Sequence, residues 1–354
     1  MGPPWRVTCQ AVPTWDRGAV GSWVRRWGGR VAGLVVTGIG LYVVAPSLLT
    51  LLDAWPSLGD VRPWWFLVVA VLELASFVCL WLLIRIALGG GRILDIAASQ
   101  LAGGAAGKVV PGGPATGGVV QAQMLIRSGY PARTVGAVLG ATGLLTTGVL
   151  LALPVLTVPA VLIGPPPARQ LELGLVVSLI VAVVIVALGL ALLHSDRLVG
   201  IVGRVAGRAV HLVRRGTDPA AVQRAFLAER DSVAAAFRGR WLRALGSAAG
   251  NRMLDYSTLV AALYAVGASA RPSLVLLAYV VAVALGMIPI TPGGLGFVET
   301  GLTAMLALAG VPADQAIVGT LLYRLASFWA PIPVGAIAWA GWRVRLRGPR
   351  VAPQ

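Results

Sequence analysis

Two opposite charges stand in stretches otherwise apolar enough to lie in lipid, Glu299 within MIPITPGGLGFVET and Arg324 within GTLLYRLASFW. Between them Gly310-Val311-Pro312-Ala313 reads as a surface corner joining two helices. Eleven residues back from Gly310 and eleven forward from Ala313 carry the two charges to a matching depth, each roughly 16 Å from the corner. An isolated charge there costs several kcal/mol, so the spacing predicts an ion pair or two charges facing one polar ligand. A pair that only locks two helices together fits the same spacing.

Other polar residues share these surroundings. Lys108, the sole lysine, lies three residues before the break Pro111-Gly112-Gly113, and Gln100, Thr116, Gln121, Gln123 and Arg127 lie around it. Lys108 is the first candidate to touch a phosphate; snorkelling toward water is the plain alternative. In NRMLD, Asn251 and Asp255 share a helix face at i, i+4, while Arg252 and Asp255 at i, i+3 can pair with each other. These three residues either line a site or satisfy one another, and Glu73 and Arg85 pose the same choice. A cation beside carboxylates suits a zwitterionic or phosphorylated ligand. Cys9, Cys79, His194 and His211 are scattered, and no Asp-x-Asp motif or nucleophile-base pair is visible, so neither metal nor cofactor is expected.

The elements that hold these residues must lie in lipid. Of 354 residues 57% are hydrophobic and only 12% charged, and mean hydropathy is +0.84, too apolar for a surface that faces water. Runs of spanning length cover 31–52, 64–84, 135–155, 171–193, 242–266 and 313–342, which predicts an all-α polytopic membrane protein with about six crossings. Arginines gather before the first run, between Arg197 and Arg243, and after the last. The positive-inside rule then places both termini and the central loop in the cytoplasm, at the cell membrane. The basic excess follows topology, and no aromatic-interleaved groove accompanies it, so nucleic acid is not an expected partner. The first apolar run lacks a small-x-small ending and is expected to remain as an anchor.

Two apolar segments are interrupted, 93–128 by PGGPATGG and 273–309 by TPGGLG. A shift of 181 residues superposes Pro111, Gly112, Gly113, Gly129, Pro131 and Ala132 on Pro292, Gly293, Gly294, Gly310, Pro312 and Ala313. The arms after the breaks, 119–128 and 297–309, are too short to cross comfortably, so each segment reads as a broken-helix hairpin that enters and returns on one side. Counting crossings opens one hairpin from each face, an inverted repeat of the kind that gives secondary transporters a midplane site. Ordinary turns between short helices are the competing reading. The same shift sends Glu299 to Gly118 and Arg324 to Gly143, so the site is expected to be asymmetric.

The expected organisation is a basic cytoplasmic tail over 1–30, a transmembrane domain over 31–342 with a cytoplasmic amphipathic insertion at 195–241, and a second tail over 343–354. Arg197, Arg204, Arg208 and Arg215 form one helical stripe suited to an anionic leaflet, or else a solvated loop with topological charge.

The segment TPGGLGFVETGLTAMLALAGVPADQAIVGTLLYRLASFWAPIPVGAIAW resembles the closing part of the lysylphosphatidylglycerol synthase transmembrane-region family, the flippase-like domain. With the earlier Pro-Gly-Gly break the likeness extends across 30–345. The resemblance implies an inner-membrane protein that handles lipids. In the multiple peptide resistance factor branch the membrane part is taken to flip aminoacylated phosphatidylglycerol, which a separate soluble domain makes; no such aminoacyltransferase is expected here. Pro292, Gly293, Gly294, Gly296, Glu299, Tyr323 and Arg324 match the family's second motif, which adds Tyr323 to the candidate site. The first motif departs, since Val119, Gln121 and Gln123 stand where many relatives carry an acid, so the resemblance does not carry the substrate or coupling ion with it.

The leading expectation is a lipid flippase without enzymatic activity, acting on an anionic or lipid-linked headgroup, with homodimerisation left open. A membrane enzyme transferring a sugar or aminoacyl group on a lipid carrier, and a noncatalytic partner of a soluble enzyme, are the alternatives.

Overall fold

The computed structural model describes residues 61–110, 113–157, 239–269, 271–286 and 294–347, with a few isolated positions besides. The two tails, most of the central insertion, the expected span 31–52 and nearly all of 171–193 lie outside the described residues, as do Pro111, Gly112, Pro292 and Gly293.

Nine helices make up the described part: α1 Pro63–Ala87, α2 Ile93–Val109, α3 Gly113–Arg127, α4 Ala132–Ala152, α5 Trp241–Ala265, α6 Pro272–Gly286, α7 Phe297–Leu308, α8 Ala313–Arg324 and α9 Pro331–Arg347. A tight 3-10 turn, Leu153–Thr157, extends α4, and a π turn, Leu325–Trp329, joins α8 to α9. Three helical stretches are long and apolar enough to cross a membrane: Pro63–Ala87, Ala132–Thr157 and Ala313–Arg345. The expected span 242–266 is a 25-residue helix, α5, but Arg243, Arg252 and Asp255 interrupt its apolar character.

The exposed face of α1 shows what surrounds the fold. Leu67, Val71, Leu74, Val78 and Leu82, spaced by three and four residues, are all exposed, whereas Val69, Glu73, Ser76 and Leu83 on the other side are buried. An apolar stripe outside and a polar group inside is the pattern of a helix with lipid behind it. The 15-residue α6 is the opposite case. Residues Leu274 to Val280 along it are buried without interruption, so it forms the centre of the packing.

The repeat in the sequence is carried by the backbone. α3 and α7 end at Arg127 and Leu308, and α4 and α8 begin at Ala132 and Ala313, each pair 181 residues apart. Gly113 and Gly294 both have left-handed φ, +54° and +70°, and Gly129 and Gly310 do so at +102° and +92°. Side chains other than glycine rarely adopt that conformation, which explains the matched glycines at the two breaks and the two corners. One arm differs from expectation. α3 starts at Gly113 and not near Val119, because Pro114 sits in the first turn, where its missing N–H costs no hydrogen bond, and the following residues stay helical.

The two 25-residue helices α1 and α5 pack side by side. Ser76 meets Asn251 near the middle of both, and Arg240 at the start of α5 reaches Ile86 at the end of α1, so the helices run antiparallel. Each half also leans on the other. Gly335 in α9 rests on the Leu101 carbonyl and Ala105 of α2, and the Trp342 indole donates to Ser128 Oγ at 3.3 Å. In the reciprocal place, the 3-10 turn after α4 packs on α6.

Within the first hairpin α2 and α3 are almost in backbone contact. A Cβ at Gly103 would lie 2.7 Å from the Gly117 carbonyl, and one at Gly107 would lie 3.0 Å from that of Gly113. Small residues that let helix backbones touch supply the packing that lipid cannot drive.

Candidate functional site

A cavity of about 560 Å3 lies between the halves, and every helix from α1 to α8 contributes to its wall. Its floor is the α1–α5 crossing, halfway along both helices. There the Asn251 side chain donates to the Ser76 carbonyl at 3.1 Å and to Ser76 Oγ at 2.8 Å, while Ser76 Oγ donates to the Asn251 carbonyl at 3.0 Å. Asn251 therefore serves the helix crossing as well as the cavity wall.

Asp255, one turn further on, projects between α6 and α8. Its Oδ2 accepts the Tyr279 hydroxyl at 2.7 Å and its Oδ1 accepts the Tyr323 hydroxyl at 2.9 Å. The expected i, i+3 pair between Arg252 and Asp255 does not form. Asp255 is bound by tyrosines from two other helices, and Arg252 Nε turns to the Thr146 carbonyl of α4 at 3.3 Å. Both residues still line the cavity.

The buried pair predicted from the corner is present. Arg324 Nε donates to Glu299 Oε1 at 2.7 Å, and Glu299 Oε2 accepts the backbone N–H of Gly296 at 2.8 Å. Glu299 is the third residue of α7, so it satisfies an orphan donor at the helix start and sits at the positive end of the helix dipole. The Arg324 guanidinium also lies over the Phe328 ring, 4.2 Å from its centre. Arg324 and Tyr323 reach the cavity wall, whereas Glu299 stands behind Arg324.

Lys108 also lines the cavity, and its ammonium is engaged. It donates to the Ser327 carbonyl at 2.7 Å and the Phe328 carbonyl at 3.2 Å. The cause is local: Pro331 has no N–H, so the Ser327 carbonyl loses its helical donor, and the π turn opens the backbone where the lysine arrives. Lys108 thus ties the first hairpin to the broken helix of the second half.

Gln121 lines the cavity, and its amide nitrogen is buried without a hydrogen-bond partner. Gln123, two residues on, points away and is exposed, so it leaves the site, because a two-residue step in a helix turns the side chain to the far face. Gln100 is a wall residue and accepts the Trp81 indole N–H at 3.0 Å. Of the two α1 charges, Arg85 is exposed. Glu73 is only 6% exposed, lies on the cavity and has one carboxylate oxygen without a partner. The sequence signal for Glu73 was its place within an otherwise uninterrupted span. Gly118 and Gly143, the repeat counterparts of Glu299 and Arg324, both line the cavity with nothing within 4 Å of where a Cβ would stand. Part of the space is therefore space the first half leaves empty.

A helical membrane protein with a charged cavity enclosed between two backbone repeats is the class that this fold and site define. The chain belongs to the lysylphosphatidylglycerol synthase transmembrane-region family, whose model matches residues 30–335. It is 35% identical over 85 residues to a UPF0104 membrane protein of Methanothermobacter thermautotrophicus, a match covering 24% of each chain. A UPF0104 membrane protein of Pyrococcus horikoshii is 40% identical over 63 residues, 18% of this chain and 19% of that one. The matched stretches span about a quarter or less of either relative.

Proposed function

We propose that this protein carries a polar lipid headgroup across the cytoplasmic membrane by alternating access, with the acyl chains left in the bilayer. The observation that carries the reading is the cavity between two repeats, with Asp255, Arg252, Arg324 and the unpartnered amide of Gln121 on its wall. Its volume falls within the range that holds a small ligand. Charges at mid-depth in lipid are expensive and are kept where they do work on a ligand or a pathway.

On this reading α2–α3 and α6–α7 are re-entrant hairpins that dip from opposite faces, within six full crossings and with both termini cytoplasmic. Four helices of 17, 15, 15 and 12 residues support it, since each falls short of the twenty needed to span. So does the antiparallel crossing of α1 and α5, which an inverted pair of halves requires of equivalent helices. Rocking of the halves about that crossing exposes the cavity to each side in turn. The ligand is a membrane lipid with an anionic or lipid-linked headgroup, and no covalent step is needed.

The test uses room where the protein has it. Gly143→Leu places a side chain into the cavity without meeting a neighbour at Cβ. Purified protein in vesicles of phosphatidylethanolamine and phosphatidylglycerol is expected to accelerate transbilayer movement of an acyl-labelled phosphatidylglycerol. Gly143→Leu should remove that acceleration while its thermal stability stays at or above that of the parent, because a mid-helix glycine gives up roughly 0.5–1 kcal/mol of helix stability. Absence of movement across phosphatidylglycerol, phosphatidylethanolamine and an isoprenyl phosphate probe would overturn the reading. Movement indifferent to Gly143→Leu would remove this cavity from it.

A further inference from the structure

The site contains a second chemistry that a headgroup does not account for. Glu73 of α1 is buried on the cavity wall, and no hydrogen bond reaches its Oε2. It shares the cavity wall with Asp255 of α5, whose helix packs along α1. The Thr258 hydrogen goes to the Leu254 carbonyl at 2.9 Å, and both oxygens of Asp255 already receive tyrosine hydroxyls. Lys108, the nearest ammonium, is held by the Ser327 and Phe328 carbonyls. One Glu73 oxygen is accordingly left with no partner. A proton on Glu73 would give that oxygen a hydrogen to donate, and the neighbouring Asp255 carboxylate is an acceptor on the same wall.

We infer that Glu73 is a proton-binding site that loads and unloads once in each transport cycle, with Asp255, oriented by Tyr279 and Tyr323, as its hydrogen-bond acceptor. This rests on the transport reading above and adds its coupling ion. When the cavity opens to water, the O–H bond of Glu73 breaks, the electron pair stays on the carboxylate, and the proton passes to solvent. Closure from the other side takes a proton from solvent by the reverse step, so charge and atoms balance over the cycle. A metal cation fits the same place poorly. Both oxygens of Asp255 are occupied by hydroxyl donors, and Lys108, Arg252 and Arg324 on three neighbouring elements repel it. A proton needs a single free lone pair, and each Asp255 oxygen keeps one beside the tyrosine hydroxyl it accepts. The ion pair of Glu299 and Arg324, although also buried, is closed upon itself and has no comparable vacancy.

The experiment reads proton linkage in two independent ways. In vesicles of phosphatidylethanolamine and phosphatidylglycerol, a pH step of one unit should shift the steady-state leaflet ratio of the acyl-labelled phosphatidylglycerol by up to about tenfold per coupled proton. Glu73→Gln, which keeps the shape and a donor to Asp255 but cannot exchange a proton, should abolish the shift when it is normalised to the variant's own exchange rate. A wild-type ratio that ignores the pH step while lipid still moves, a response to sodium in place of pH, or a full shift in Glu73→Gln would overturn the inference. If no labelled lipid moves at all, the transport reading fails and the second measurement decides. Infrared difference spectra of the purified protein between acid and alkaline buffer should show a buried protonated carboxyl band, lost in Glu73→Gln and displaced in frequency in Asp255→Asn. A spectrum without that band, or with the band intact in Glu73→Gln, overturns the proton site on its own.

Discussion

Neutralising Glu299 or Arg324 gives the sharpest measure of how the second half is held. The two side chains share a 2.7 Å charge-assisted hydrogen bond, and Arg324 is 7% exposed, so neither charge has much water to fall back on. Removing one partner strands the other, which costs about 3–5 kcal/mol in a buried pair. Glu299→Gln takes away the guanidinium's carboxylate, while the Phe328 ring stays beside it as an electron-rich partner worth about 0.5–2 kcal/mol. Arg324→Gln leaves a carboxylate that still has the Gly296 N–H and the start of α7, so its penalty should fall at the lower end. The double variant has two neutral amides able to hydrogen-bond to each other and should lose little more than the worse single. A coupling of about 2–3 kcal/mol is therefore expected. Unfolding in mixed dodecylmaltoside and dodecyl sulfate micelles, followed by tryptophan fluorescence, measures all four proteins on one scale. Single penalties that simply add, to within roughly 0.5 kcal/mol, would show that the pair is not energetically coupled and would refute the reasoning.

Three further outcomes follow from contacts elsewhere in the fold. Gly103→Val puts a branched side chain where a Cβ already lies 2.7 Å from the Gly117 carbonyl, so α2 and α3 must separate; a loss of roughly 1–3 kcal/mol and a raised cysteine-labelling rate at an engineered Gln121→Cys are expected. Asn251→Ala removes two donor contacts across the α1–α5 crossing and should cost about 1–2 kcal/mol in the same micelle titration, whereas Asn251→Asp should cost more by adding a charge beside Asp255. Lys108→Met deletes the contacts to the Ser327 and Phe328 carbonyls; hydrogen exchange should rise in 325–331 while the α1–α5 crossing stays protected.

The parts legible in the sequence were those governed by local backbone rules. The Pro-Gly-Gly breaks and Gly-x-Pro corners demand unusual φ or a missing donor, so their matched spacing located α3, α4, α7 and α8 and placed Glu299 opposite Arg324 before any tertiary contact was known. The contacts the sequence does not announce are those whose partners come from another helix. Asp255 and Arg252 have the right spacing to pair, but Tyr279, Tyr323 and the Thr146 carbonyl outcompete that local contact, and nothing within NRMLD announces them. Nothing around Glu73 in the sequence shows that α5 packs along its helix and that the two share a cavity wall. Gln123 failed for a simpler reason, since polarity near a break says nothing about which face of α3 turns inward.

The two halves share a backbone plan but not an energy. Where one half sets a guanidinium against a carboxylate, its counterpart has Gly143 and Gly118 and plain vacancy. Perfect copies would occupy the inward-open and outward-open shapes equally, because exchanging the roles of the halves would leave the molecule unchanged. In the proposed cycle these unlike copies would not be interchangeable, so the unloaded protein would rest on one side, with the difference between the halves setting which.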